Sequence, residues 1–325
     1  NVVTFKTYNL LDLYLGAAGK NIYPKMLISL NIDTLNDDRY IFSSSGKNIY
    51  ISINDNKYNV LGTKNISFNN NDLIDITITK ILENETDYFI LGNMHFGGSS
   101  YVGPIKKHFV TKMSKDFIEV TCRTFEVLED IVLDGNGVMV PYISFMEIKD
   151  AEYLVSELIV FGTIPHPSMP NTVITSVYIL NNNLNITSFK NFTHSDKLTI
   201  EKIVFDNTNI YGIGTTVIDI GNGIKPKAIV VKFNIESNEI LLVDNKILGN
   251  LESSDFGKSI VVTSEESDLL IAFIGKNDGD DFSNTKIVSL DSQFTIKNSG
   301  VFMSAVPLLI ENVSKKFNED FRFIG

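Results

Sequence analysis

The sequence predicts an all-β protein, a seven-bladed β-propeller of four-stranded antiparallel blades, on three observations. Six times a short apolar run stops at Gly or Ser, and a second apolar run ending near Asp or Asn follows one loop later. β-branched and aromatic residues fill these runs, alternating as in Ile76-Thr77-Ile78-Thr79 or continuous as in Ala228-Ile229-Val230-Val231. Apolar spacing of the helical kind is scarce, so strands are expected nearly everywhere. A unit recurring every roughly 50 to 70 residues implies an array of small sheets.

Taken in order, the first two units pair Leu13–Gly16 with Met26–Asp33 and Arg39–Ser43 with Asn48–Asp55. The third pairs Phe89–Gly92 with Phe109–Asp116, and the fourth Val160–Gly162 with Val173–Asn181. The fifth pairs Tyr211–Gly214 with Ala228–Asn234, and the sixth Ala272–Gly275 with Lys286–Asp291. Phe321–Gly325 opens a seventh. An alternating strand precedes each Gly-terminated one (Ile76–Leu82, Leu198–Phe205, Ser259–Thr263). A closing strand ends the unit, as in Phe117–Val120 or Ile240–Val243. The glycines suit a sharp backbone turn near a crowded centre, and Gly92, Gly162, Gly214 and Gly275 are expected at equivalent places.

Residues 1–8 supply a lone strand, and joining it with 321–325 would close a single 1–325 domain into a ring without free edges. Residues 131–148 carry surplus strand-like residues, an inserted hairpin or an eighth blade. The short second unit keeps six blades open. Two stacked sandwiches or a solenoid would use the same hairpins. One helical turn is expected, at Lys315–Asn318.

Composition narrows the partners. A hydrophobic content of 43% is enough for a sizeable core. The net charge of −11 and isoelectric point near 4.9 exclude nucleic acid, because no basic stripe exists to release counterions. The longest apolar run, Val301–Ile310, is broken by Pro307 and reaches about half of the ~20 residues a membrane helix needs, so no membrane insertion is expected. The one cysteine, Cys122, rules out an internal disulfide and is expected to be a buried thiol. The chain opens on Asn1 with no signal-peptide pattern, as expected of a processed chain or an excised segment. Its 34 asparagines make five Asn-x-Ser/Thr sequons the number chance predicts.

Tyr88-Phe89-Ile90-Leu91-Gly92, a loop, then His108-Phe109-Val110-Thr111-Lys112-Met113 with Asp116 resembles the propeller repeats of bacterial surface and phage structural proteins. Ile229-Val230-Val231-Lys232-Phe233-Asn234 matches the second strand of those repeats. The resemblance implies a binding or scaffolding role. WD-type and kelch blades are not matched, since the chain has no Trp.

No constellation gathers a nucleophile, a base and an oxyanion stabiliser. The four histidines, His95, His108, His166 and His194, have no zinc-ligand spacing. Arg39, Arg123 and Arg322 invite comparison with the carboxylate clamp of sialidases, but no aspartate box accompanies them. Ser254–Ser259 contains a Gly-Lys-Ser without the upstream Gly of a phosphate loop, and no Gly-x-Ser-x-Gly elbow occurs. Asp134-Gly135-Asn136-Gly137 and Asp278-Gly279-Asp280-Asp281 are oxygen-rich turns of a kind that can hold calcium; Asp278, Asp280 and Asp281 are the candidate ligands. No other cofactor is expected.

The expected function is a non-enzymatic binding or structural module of a phage virion or bacterial cell surface, outside the cell. Its partner would be a surface protein or glycan, or neighbouring virion proteins. Recognition would lie in three loops, His95–Tyr101, Pro165–Pro170 and Asn277–Asn284, with His95, Tyr101, Pro165, His166, Pro167, Asn277 and Asp278 making contact. The alternatives are a propeller glycosidase or lyase with carboxylates from several blades, and an intracellular interaction scaffold.

Overall fold

The computed structural model describes residues 27–32, 39–55, 59–97, 105–125, 129–133, 139–143, 147–154, 156–165, 173–192, 198–206, 209–221, 223–236, 239–250, 252–263, 268–276, 284–302, 312–315 and 321–324. Among these there is no helix. The chain divides into two compact units, residues 1–125 and 126–325.

The first unit holds two four-stranded antiparallel meanders, the arrangement of propeller blades. One runs β1 (Leu27–Ile32), β2 (Arg39–Ser45), β3 (Asn48–Asn54) and β4 (Val60–Ser67). The other runs β5 (Leu73–Glu83), β6 (Asp87–Phe96), β7 (Ile105–Ser114) and β8 (Val120–Phe125). The second unit opens with a two-stranded sheet, β9 (Glu129–Leu133) with β10 (Met139–Ile143), which overlaps the 131–148 segment read as surplus. Three meanders follow. They are β11 (Glu147–Leu154), β12 (Glu157–Pro165), β13 (Val173–Asn181) and β14 (Ile186–Phe192); β15 (Thr199–Phe205), β16 (Ile210–Asp219), β17 (Ile224–Glu236) and β18 (Glu239–Leu248); and β19 (Ser254–Val262), β20 (Leu269–Lys276), β21 (Asn284–Leu290) and β22 (Ile296–Phe302). A last pair joins β23 (Asn312–Lys315) to β24 (Phe321–Ile324).

The blade expectation holds in kind and is corrected in number: the described residues form five complete four-stranded sheets, not seven. Part of the reason is visible at the start. Leu27–Ile32 and Arg39–Ser45, read as belonging to successive units, pair with each other in one sheet. Lys315 ends strand β23 and is not in a helix. The proposed closing partner of Phe321–Ile324, residues 1–8, lies outside the described residues, as do Leu13–Gly16.

Second strands are buried on both faces. Tyr88 through Met94 of β6 are all buried, as are Ile271 through Ile274 of β20. This is why they read as continuous apolar runs rather than alternating ones. In the second unit Phe161, Phe192 and Phe233 pack with ring centroids 5.2 and 5.4 Å apart, around the buried Ile200 and Val231. Each such ring or branched chain stabilises the fold by roughly 1.5–3 kcal/mol through apolar burial.

The Asp or Asn ending the third strand has a specific task. Asp291 Oδ1 accepts the amides of Gln293 (2.9 Å) and Thr295 (2.7 Å), and Asn181 Oδ1 accepts those of Asn183 and Asn185 (both 3.0 Å). Ser114 plays this part in the β7–β8 turn, accepting the Glu119 amide at 2.9 Å. Each turn then drives a large apolar residue inward in the left-handed conformation: Phe117 (φ 63°), Leu184 (φ 59°) and Phe294 (φ 61°). Burial of Leu184 and Phe294 offsets a backbone cost of order 1 kcal/mol each. Residues 117–119 therefore belong to a turn, and the closing strand starts at Val120.

The glycines mark a second repeated device. Gly92, Gly162 and Gly214 pair with Ile78, Ile148 and Ile200 of the first strands, and each first strand bulges at the next residue: Thr79, Lys149 and Glu201. At Gly214 an added Cβ would fall inside the Thr199 carbonyl. The equivalence expected of Gly275 fails. In that sheet Phe273 holds the pairing position, its partner Gly257 is the glycine, and the bulge follows at Lys258.

Gly275 answers to a different constraint. It pairs with Asp255, and a Cβ there would strike the Asp255 carboxylate and Lys286 Nζ. Asp255 is wholly buried, with Lys286 Nζ at 2.8 Å and the buried Lys227 Nζ at 3.5 Å. Lys227 also donates to the carbonyls of Asn250 and Ser253, and Ser253 Oγ donates to Asp255. Burial pushes the Lys227 amine below its ordinary range, and the Asp255 charge limits the fall.

Candidate functional site

A concave site, a pocket of about 290 Å³, lies on one face of the β5–β8 sheet. Its floor is apolar: Leu73, Met94 and Phe96 from β5 and β6, with Phe68 from the connection after β4. Asn69, Asn70, Lys107, Cys122 and Thr124 supply polar groups at its walls. Alternation along the strands puts these residues on one face, since Met94 pairs with Lys107 and Thr111 with Cys122.

The connecting segment that contributes Phe68, Asn69 and Asn70 to the pocket is stapled in place. Lys47 Nζ donates to the Asn70 and Asn71 carbonyls (2.7 and 3.2 Å), the Phe68 amide to the Lys47 carbonyl (3.0 Å), and the Gly97 amide to the Asp72 carbonyl (2.8 Å). The Phe68 and Phe109 rings meet at 5.8 Å, and Lys107 Nζ lies 5.7 Å from the Phe96 centroid. The pocket is thus preformed, with one cation against an aromatic wall.

Cys122 departs from expectation: it is exposed on the outer strand. Loss of water around its sulfur at the pocket wall still raises the thiol above its ordinary range. It is therefore a weak nucleophile near neutral pH.

The opposite face of the same sheet carries a polar strip. His95 Nε2 lies 3.3 Å from Thr77 Oγ1, and Asn93 Nδ2 donates to Thr79 Oγ1 at 3.3 Å. His108, directly across from Asn93, is buried, and desolvation pushes it down to about 3, so it is neutral at physiological pH. His95 thus sits in a strand against Thr77, not in a recognition loop.

Of the other predicted contact residues, Pro165 ends strand β12. Tyr101, His166, Pro167, Asn277, Asp278, Asp280 and Asp281 lie outside the described residues, as do His194 and Asp134. The pocket was missed in the sequence because its lining comes from five separate strands and connections; only the clustering of Phe68, Met94 and Phe96 near Asn-rich turns hints at it.

No family model matches this chain, and no curated protein matches it. Solved structures do. A cobalt-substituted Synechocystis apocarotenoid oxygenase is 11% identical, with a TM-score of 0.52, covering 93% of this chain and 64% of that one. A single-residue mutant of the Synechocystis enzyme and a chimera of it with RPE65 each match at 11% identity and TM-score 0.52, covering 88% of this chain and 63% of theirs. The chain thus spans less than two thirds of the length of these neighbours. At this identity the likeness shows the fold, an all-β propeller-type architecture.

These neighbours correct two expectations. The reading as a non-enzymatic virion or cell-surface module, with its glycosidase and scaffold alternatives, is overturned: the solved structures named above are of an apocarotenoid oxygenase and its chimera with RPE65. The expectation of no cofactor beyond calcium also falls, because one neighbour was solved with cobalt in place of its own metal. Tested against this chain, the described side chains do not fit a metal centre. No three of His, Cys, Asp or Glu converge among the described residues, and buried His108 shares its sheet with His95 alone of the other histidines.

Proposed function

We propose that this chain is an enzyme acting on an elongated apolar molecule with a polar end, bound in the pocket of the β5–β8 sheet. The observation that carries the reading is the pocket: an apolar floor of Phe68, Leu73, Met94 and Phe96 under polar groups from Asn70, Lys107 and Thr124. Burial of a hydrocarbon against that floor drives binding, and the polar groups fix its orientation. The volume of about 290 Å³ holds one end of such a molecule, with the remainder leaving at the mouth. The fold neighbours support the substrate class, since their name gives apocarotenoids as what they act on. The chain's own contribution is to bind, orient and exclude water; Cys122, with its raised thiol, is not assigned a catalytic role.

The test is a fluorescence and absorbance titration with a polyene aldehyde, followed by its consumption under air with and without added divalent transition metal. Saturable binding is expected, weakened at least about tenfold by Thr124→Trp, which fills the mouth from an exposed edge-strand position. Binding that does not saturate, or that Thr124→Trp leaves untouched, would remove the pocket from consideration. Saturable binding without turnover under either condition would refute the enzymatic reading.

A further inference from the structure

The pocket of the β5–β8 sheet combines hydrogen-bond donors with a single formal charge. Lys107 is its one charged lining residue, and no Asp or Glu lines it. Register fixes where that charge sits. Lys107 pairs with Met94 of the floor, and its Nζ lies 5.7 Å from the Phe96 ring centroid. The ammonium therefore lies against the aromatic part of the floor. Asp72, on the segment that supplies Asn69 and Asn70, gives its carbonyl to the Gly97 amide and is not among the lining residues.

Asn70 adds a donor whose identity its neighbour settles. The Asp72 amide donates to the Asn70 side chain at 2.9 Å, so the accepting atom is the oxygen Oδ1 and Nδ2 carries the donors. Lys47 Nζ, on the Asn70 carbonyl at 2.7 Å, pins the main chain of the same residue. Cys122 brings no negative charge to the wall: loss of water around its sulfur raises the thiol, which stays neutral near neutral pH. Ammonium and amide N–H groups only donate, and an ionised carboxylate only accepts. An alcohol or aldehyde meets the same donors without the attraction of opposite charges.

We propose that the polar end recognised in this pocket is a carboxylate: the ligand is a long-chain organic acid whose head takes hydrogen bonds from Lys107 and Asn70. Its chain would lie on Phe68, Leu73, Met94 and Phe96. The inference rests on the reading of this pocket as the site of an elongated apolar molecule, and it adds the chemistry of the head group. One ammonium matches a monoanion, and the apolar floor strengthens that pairing over its value in water. The acid should therefore bind ahead of the alcohol of equal chain length.

Sodium decanoate, kept below its micellar concentration, is a suitable probe, with decan-1-ol as its neutral counterpart. Binding to the full chain is read by ligand-observed NMR at constant ionic strength. Decanoate is expected to bind about tenfold more tightly than decanol, the size of one hydrogen bond to a charged group. Thr124→Trp should weaken both probes alike, which locates them in the pocket. Lys107→Met keeps the apolar stem and should bring decanoate down to the level of decanol. Asn70→Asp still accepts the Asp72 amide but adds a negative charge, so it should weaken decanoate and spare decanol. Equal binding of the two probes, or an acid preference that survives Lys107→Met, would overturn the inference and leave the pocket reading standing. No saturable binding of either probe, or binding that Thr124→Trp leaves untouched, would remove both together. Should Lys107→Met fail to fold, Asn70→Asp decides alone, and decanoate binding unchanged by it would overturn the proposal.

Discussion

Gly214 and Gly275 end the same apolar run in successive sheets, yet the backbone uses them for opposite purposes. Gly214 faces main chain: Thr199 and Ile200 of the first strand leave no room for a side chain where the bulge begins. Gly275 faces side chains, the carboxylate of Asp255 and the amine of Lys286. In its sheet the bulge constraint has moved to the other strand, where Gly257 meets Phe273. One pattern position therefore serves two mechanisms, a steric one and an electrostatic one, and the difference can be tested by breaking each.

The largest effect is expected at the charge cluster itself. Asp255→Ala strands the fully buried Lys227 and should cost about 3–5 kcal/mol, read as a lowered urea midpoint. Gly214→Ala should come next, at about 3 kcal/mol, because the backbone it strikes cannot step aside. Gly275→Ala should cost less, about 1–2 kcal/mol, since the end of Lys286 can swing away. If Gly275→Ala proved the costlier of the two, the assignment of steric and electrostatic roles would be reversed.

The turns extend the contrast. Leu184→Gly relieves a strained φ of 59° but empties a buried position, for a net loss of about 1 kcal/mol. A gain instead would show that backbone strain outweighs burial there.

The smallest effect separates the mechanisms by pH. The folded pKa of Lys227 lies below 10.5, so between that value and 10.5 the unfolded chain binds more protons. Stability contributed by this group should therefore rise with pH across that window, and Lys227→Met should abolish the rise. The cost of Gly214→Ala should stay flat over the same range, because the residues it meets, Thr199 and Ile200, do not titrate there. His108 adds an acid window: pushed down to about 3, it must charge on unfolding, so stability falls as pH drops from 6.5 towards 3.

Strand identity was legible in the sequence wherever both faces are buried, as in β6 and β20, because burial forces apolarity at every position. The Asp or Asn at strand ends was legible too, although its partner was not. Nothing marks Leu184 or Phe294 as left-handed, since bulky residues take that conformation only when a core repays it. Sheet membership was harder. The pairing of Leu27–Ile32 with Arg39–Ser45 is decided by register, which apolar patterning alone leaves open. Bulges were invisible because the extra residue is chosen by its aim rather than by hydrophobicity. The Lys149–Glu201 pair consequently looked like ordinary surface charge, and the pocket at Leu73 and Met94 like ordinary core.

Asp150 and Lys202, the residues after two of the bulges, each clip one first strand to the next, and these clips reach in one direction only. Asp150 takes an amide supplied 53 residues later, and Lys202 gives a hydrogen bond to a hydroxyl 57 residues later. During synthesis each newly made sheet therefore waits on the next for its inner edge to be completed. A nascent chain paused after Phe192 would hold the Asp150 carboxylate before its partner, the Ile203 amide, has been made. Completion of the inner edge is thus vectorial, advancing with translation from the β11 sheet to the β19 sheet, and slow codons shortly after either sheet would prolong the interval in which that edge stands open.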